Sequence, residues 1–253
     1  NYIEWFPDGK LNIFTNCIAN NLNSKIKNKV AFYNINKNKE ITSYSYQSLA
    51  NIINNFSKEL IENLHSKLNT SKVIIHGSAS LETAVAMLSC AKLGIHFSVI
   101  FEDLAAEAIS KRIDLIKPDL FITRFESKKF KKQVLKKIKV KKSFKIYYIN
   151  YKDIIDLDKK TLFLKDKTFN SNRDFFTLFT SGSTGAPKGI VHSSGGYLVA
   201  TKLTCKELFG MSKNSVVMTA SNAGWLNGHT YALFGPLSLG ATTVLLEDPM
   251  LLL

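Results

Sequence analysis

The sequence predicts an α/β fold in which mostly parallel β-sheets are flanked by helices. Two observations carry that expectation. From Val30 onward, short runs of β-branched and aromatic residues alternate with longer windows of helical period. Polar turns separate these runs, and no internal repeat converts the alternation into a solenoid.

Residues 1–28 show no clear period and read as an irregular N-terminal extension to the unit at 29–253. Val30–Tyr33 and Ile41–Tyr44 predict a hairpin around the polar Asn34–Lys39. Tyr46–Leu64 sets Leu49, Ile52, Ile53, Phe56, Leu60, Ile61 and Leu64 at a clear helical period. Val73–His76 is a short strand, and Ser80 is placed to cap a helix running to Leu93. Ile95–Phe101, Leu104–Ile116, Leu120–Thr123, a lysine-rich helix and Phe144–Ile149 continue the alternation. Lys152–Arg173 is polar and weakly patterned, a connection into the apolar strand Phe175–Phe179. Beyond lie a helix around Tyr197–Leu208, a strand at Val216–Thr219, a helix near Leu226–Leu237 and a strand at Ala241–Leu246.

A net charge of +14 raises the question of a nucleic-acid partner. Among the 34 basic residues, however, only Arg112, Arg124 and Arg173 are arginines, the residue whose planar fork reads nucleic acids. Ten lysines crowd into Ser127–Lys145, with Phe130, Val134, Leu135 and Ile138 interleaved at roughly helical spacing. That pattern is a solvated helix face, so no nucleic-acid partner is expected. Cys17, Cys90 and Cys205 lack metal-type spacing and read as reduced thiols in a cytoplasmic protein. No run reaches the length of a membrane span.

Function concentrates in Thr180–Gly189, Thr-Ser-Gly-Ser-Thr-Gly-Ala-Pro-Lys-Gly, directly after the Phe175–Phe179 strand. Gly182 and Gly185 let the backbone approach a ligand, and successive N–H groups in such turns form an anion-binding concavity. Thr180, Ser181, Ser183 and Thr184 add hydroxyls, and Lys188 adds a mobile positive charge. A triphosphate suits this set best. The spacing is not that of a Walker A loop, because Pro187 stands where that motif needs glycine. The competing reading is a flexible linker, which the apolar residues on both sides oppose.

This loop resembles the phosphate-binding signature of the acyl-adenylate-forming enzymes. Trp5–Asn12, Ala86–Gly94, His96–Phe101, Val191-His192 with Gly195–Leu198, and Gly224–Tyr231 resemble, in order, blocks of the short-chain acyl-CoA synthetases that act on acetate or propionate. The resemblance implies part of a large N-terminal AMP-binding (adenylation) domain, with the small C-terminal domain absent and this piece inactive alone. It implies ATP, Mg²⁺ and CoA as cofactors, and a short carboxylate and the rest of the same chain as partners.

It also implies two-step chemistry: acid plus ATP gives acyl-adenylate and pyrophosphate, then the CoA thiolate displaces AMP. Thr180, Ser181, Gly182, Ser183, Thr184, Gly185 and Lys188 would hold the β- and γ-phosphates. Trp225, Leu226, Asn227, Gly228 and His229 would line the acyl pocket, with Leu226 and Asn227 where the family often has Val and Thr. Arg112 would meet CoA, although Glu102-Asp103 replace a glycine pair nearby. No residue of the chain is assigned to metal binding or to direct catalysis. Trp225, His229 and His192 also fit purely structural roles, and Arg112 a helix surface. Other readings are an acetoacetyl-CoA synthetase or other small-acid adenylating enzyme, transfer to a carrier thiol, a truncated nucleotide-binding remnant, and a basic nucleic-acid module.

Overall fold

The computed structural model describes residues 6–23, 25–64, 68–124, 144–159, 162–181 and 187–252. The expected lysine-rich helix falls almost wholly on residues 125–143, which lie outside the described residues, as do loop positions 182–186.

The chain begins with β1 (Lys10–Leu11), a helical turn over Thr15–Ala19 and the short α1 (Asn20–Leu22). A hairpin of β2 (Val30–Ile35) and β3 (Ile41–Ser45) runs straight into α2 (Tyr46–Leu64). Alternating units follow: β4 (Lys72–His76), α3 (Leu81–Leu93), β5 (His96–Ile100), α4 (Ala106–Ile116) and β6 (Leu120–Thr123). Then β7 (Lys145–Tyr148), α5 (Tyr151–Asp158) and β8 (Phe169–Asn170) lead to a long hairpin, β9 (Asp174–Ser181) and β10 (Pro187–Ser193). The last elements are α6 (Ser194–Leu203), β11 (Val216–Met218), α7 (Leu226–His229) with its helical continuation to Ser238, and β12 (Thr242–Leu246).

Two sheets organise these pieces. A six-stranded sheet has the order β10-β9-β5-β4-β6-β7, and a four-stranded sheet the order β11-β12-β2-β3. Within these two sheets pairing is parallel except for β10 on β9 and β2 on β3, and the short β1 and β8 form a separate antiparallel pair, so the fold is mostly parallel as expected.

Helix α2 buries the predicted stripe, Leu49, Ile52, Ile53, Phe56 and Leu60, at 1% exposure or less. Its neighbour α3 is buried on every side, from Leu81 to Lys92, as expected of a helix apolar all round. Ser80 Oγ accepts from the Thr83 N–H at 3.4 Å and starts α3. Gly94 ends it at φ +65°, where the Ile95 N–H donates to the Cys90 carbonyl at 2.9 Å. The fully buried Lys92 ammonium, which α3 carries inward, is paired with Asp166 and lies 4.2 Å from the Phe14 ring centroid.

Four expectations need correction. The extension is not irregular throughout, because Thr15–Leu22 is helical and seats Cys17 and Ile18 in the core. The polar connection holds α5, capped by Asn150 Oδ1 accepting from the Asp153 N–H at 2.9 Å and anchored by buried Ile154 and Leu157. The loop expected over Thr180–Gly189 is shorter, because Thr180 and Ser181 end β9 and Pro187–Gly189 open strand β10, paired with β9. The expected helix near Leu226–Leu237 begins at Leu226 but changes its winding at Thr230–Phe234 before Gly235–Ser238. The three cysteines are free and buried, as expected, and burial pushes the Cys17 thiol up to about 12 and Cys205 to about 11. Among the described residues no helix is long and apolar enough to cross a membrane.

Candidate functional site

The glycine-rich loop is the tip of the β9–β10 hairpin. Phe175, Phe176, Leu178 and Phe179 are buried in β9, and the parallel pairing of Phe97 with Phe176 fixes the strand to β5. In the hairpin, Lys188 stands opposite Thr180, and Pro187 opposite Ser181. Cross-strand partners project from the same face of a sheet, so the Lys188 ammonium and the Thr180 hydroxyl share one face at the hairpin mouth. Both residues are exposed. Gly182, Ser183, Thr184 and Gly185 lie outside the described residues. The strand pairing brings the described ends of their loop together.

Beneath the mouth, three aromatic rings converge on Phe176. His192, its partner on β10, lies at 4.7 Å between ring centroids, Tyr197 of α6 meets it edge-on at 4.8 Å, and His229 at the end of α7 lies at 4.7 Å. The Tyr197 hydroxyl is hydrogen-bonded to Thr230 Oγ1 at 3.1 Å, tying α6 to the helical run after Trp225. The β9–β10 hairpin and the Gly224–Tyr231 block, separate in sequence, therefore rest on one ring.

His229 is fully buried, and burial drives its pKa down to about 3. Neither ring nitrogen is met by a hydrogen bond of good geometry, and the Ala223 backbone works only weakly against the burial. The ring also stacks on Phe97 at 5.9 Å. His192 is half-buried, and burial lowers its pKa as well. In both imidazoles burial favours the neutral form.

The preceding turn presents the other pocket residues outward. Asn222 Oδ1 accepts from the Gly224 N–H and the Asn222 carbonyl from the Trp225 N–H, both at 3.0 Å. A Cβ on Gly228 would stand 2.2 Å from the Asn222 carbonyl oxygen, so this closed turn requires glycine there. Trp225, Leu226 and Asn227 are left exposed, while Gly228 and His229 turn inward. Trp225 lies 5.4 Å from the Phe101 ring. Adjacent to Leu226, a cavity of about 420 Å³ is lined by Val191, His192, Tyr197, Thr201, Leu226 and Thr230, among others. Its wall is apolar with a fringe of hydroxyls, suited to a small organic acid.

Arg112 lies on α4, where its guanidinium donates to the Ala108 carbonyl at 2.9 Å and stacks 5.2 Å from the Phe179 ring. It therefore sits beside β9, and partial burial lowers its pKa. One group escaped the sequence reading altogether. Arg124, just after β6, pairs with Glu102 at 3.2 Å and with Glu247, and reaches Glu82 at 3.9 Å. Lys37 also pairs with Glu102. These residues come from five separate segments, so no local pattern announces them. Among the described residues no cluster of His, Cys, Asp and Glu has the arrangement of a metal site.

Similarity to known proteins agrees with this geometry. A profile of the AMP-binding enzymes matches residues 20–252. The chain is 31% identical to the acetyl-coenzyme A synthetase of Helicobacter pylori strain P12, covering 98% of this chain and 41% of that protein. It is 32% identical to the acetyl-coenzyme A synthetase of Leptospira biflexa, strain Patoc 1 / Ames, over 97% of this chain and 41% of that protein. The crystal structure of Brucella canis acyl-CoA synthetase superposes with a TM-score of 0.78 at 18% identity, covering 97% of this chain and 45% of that one. That last likeness speaks to the fold. The chain thus spans about two fifths of the length of these curated relatives.

Proposed function

The chain belongs to the AMP-binding enzyme family, and on that premise we propose that it supplies the phosphate loop and acid pocket of an AMP-forming acid–thiol ligase. The reaction is the ATP-dependent joining of a short carboxylate, acetate or propionate, to CoA. A free carboxylate resists attack by a thiol because its leaving group would be an oxide. Attack of one carboxylate oxygen on the α-phosphorus of ATP expels pyrophosphate and gives the acyl-adenylate. The thiolate then adds to the carbonyl carbon and AMP leaves.

Two anions must meet for the first step, and preorganised donors offset their repulsion. In this reading the Thr180 hydroxyl, the loop backbone and Lys188 hold the terminal phosphates at the hairpin mouth. Trp225, Leu226 and Asn227 face the acid, whose tail enters the cavity beside Thr230. The neutral His192 and His229 form a dry aromatic floor that fixes the distance between the two binding regions. Among the described residues no cluster of His, Cys, Asp and Glu is arranged to hold the Mg²⁺ expected with ATP. At the CoA end, Glu102 is not a bare anion, because Arg124 and Lys37 neutralise it. Three buried, unbridged cysteines suit the reducing cytoplasm.

The observation that carries this reading is the convergence of the phosphate hairpin and the Trp225 block on Phe176. Acid-dependent exchange of labelled pyrophosphate into ATP tests it, using the polypeptide of full family length with acetate, propionate and acetoacetate. Exchange with one of the first two is the expected result; no exchange with any short acid overturns the reading.

A further inference from the structure

A charged seam lies where the two sheets meet. Glu102 follows β5 and Arg124 follows β6 of the six-stranded sheet, whereas Glu247 follows β12 and Lys37 lies in the β2–β3 turn of the four-stranded one. The carboxylates are well shielded: side-chain exposure is 4% for Glu102, 7% for Glu247 and 9% for Glu82. Such acids are stable only when each is paired, and one guanidinium fork can serve several at once. Arg124 does so from the centre of the seam.

Glu102 is joined directly to Phe101, whose ring lies 5.4 Å from Trp225. The packing at this contact is close. A Cβ on Gly224, the residue before Trp225, would come within 2.6 Å of the Phe101 ring. The turn that presents Trp225 is thus laid directly on the residue that the seam holds.

We propose that Arg124 is a positioning residue: by pairing with Glu102 between the two sheets it sets the Phe101 ring, and through that ring Trp225 and the adjoining Leu226, which lines the cavity. It touches neither acid nor nucleotide. If the seam loosens, Phe101 withdraws and Trp225 loses its backing, while the phosphate hairpin, anchored through Phe176, keeps its place. This role rests on the proposed activity for its kinetic consequence only; the link from Arg124 to Trp225 is a property of the folded chain.

The experiment uses the full polypeptide in a Trp5→Phe background with other tryptophans outside this chain replaced, so that emission reports Trp225. Arg124→Met should raise acrylamide quenching of Trp225 about 1.5-fold and the KM for the acid about tenfold, the scale of a displaced pocket wall, with kcat and the KM for ATP within about threefold. Arg124→Lys should recover much of the acid KM. If Arg124→Met does not fold, Glu102→Gln removes the charge that Arg124 and Lys37 both pair with, and the same shifts are expected at a smaller size. Unchanged quenching in a folded variant of either kind overturns the proposal, as does a loss of kcat with an unmoved acid KM. Should the parent show no exchange at all, the proposed function fails, while quenching alone still decides whether Arg124 governs Trp225.

Discussion

The mouth of the β9–β10 hairpin and the ring stack beneath it are built from opposite materials. Thr180 and Lys188 are exposed, polar and free of close packing. Phe176 is 0% exposed and lies against His192, Tyr197, His229 and Phe97. The mouth can change its contacts with little cost to the fold, whereas the floor cannot change without collapsing the geometry that places the mouth. Chemistry and stability are thus separated by about four residues along one hairpin, and each can be perturbed with the other as a control.

Removing the floor gives the largest effect. Phe176→Ala deletes a fully buried ring and leaves a cavity bounded by other rings, which should cost about 3–5 kcal/mol of stability. Urea or thermal unfolding checks this, and a cost below about 1 kcal/mol would mean the stack is not the support described. Activity should fall too, but only in proportion to the folded fraction plus whatever displacement the hairpin suffers.

Removing the mouth reverses the pattern. Lys188→Ala should lower pyrophosphate exchange about 100-fold, the usual scale for losing one donor to developing phosphate charge. Its unfolding free energy should stay within about 0.5 kcal/mol of the parent, because an exposed side chain supports little structure. A variant that loses stability instead of rate would place Lys188 in the scaffold and break the division between the two regions.

The two regions also differed in how far the sequence exposed them. The loop is legible because its chemistry is local: glycines, hydroxyls and a lysine within Thr180–Gly189 need no partner from elsewhere. Strand β10 was hidden by the same local signals, since Pro187 and Gly189 spell a turn while the pairing with β9 makes them a strand. Helix α5 did leave a trace, the Asn150 cap followed by Ile154 and Leu157, diluted by the polar residues around it. The helical period of Tyr46–Leu64 gave α2 to the residue, because a one-sided apolar stripe belongs to the element itself. The Phe176 stack and the Arg124 seam are different in kind. Their members come from segments far apart in the chain, and only the tertiary packing of strands, helices and turns brings them together.

His229 offers a finer test of the floor, read through pH. In the unfolded chain its imidazole takes up a proton near the ordinary histidine value of 6.5, but in the fold burial delays this until about pH 3. Between those limits the unfolded state binds more protons, so stability is fully present above pH 6.5 and declines as the pH falls toward 3. One such group contributes a slope of about 1.4 kcal/mol per pH unit in the steep part of that window. His76, which burial lowers to about 4, adds to the decline over the upper part of it. His229→Leu removes one proton uptake and two nitrogens that lack well-formed hydrogen bonds. Its unfolding free energy should therefore fall less steeply than the parent's from pH 6 to pH 4, with the two proteins closest near pH 7.5. Parallel slopes would mean that His229 is already protonated in the folded state. The floor would then carry charge, and the contrast between a polar mouth and a neutral base would fail at its centre.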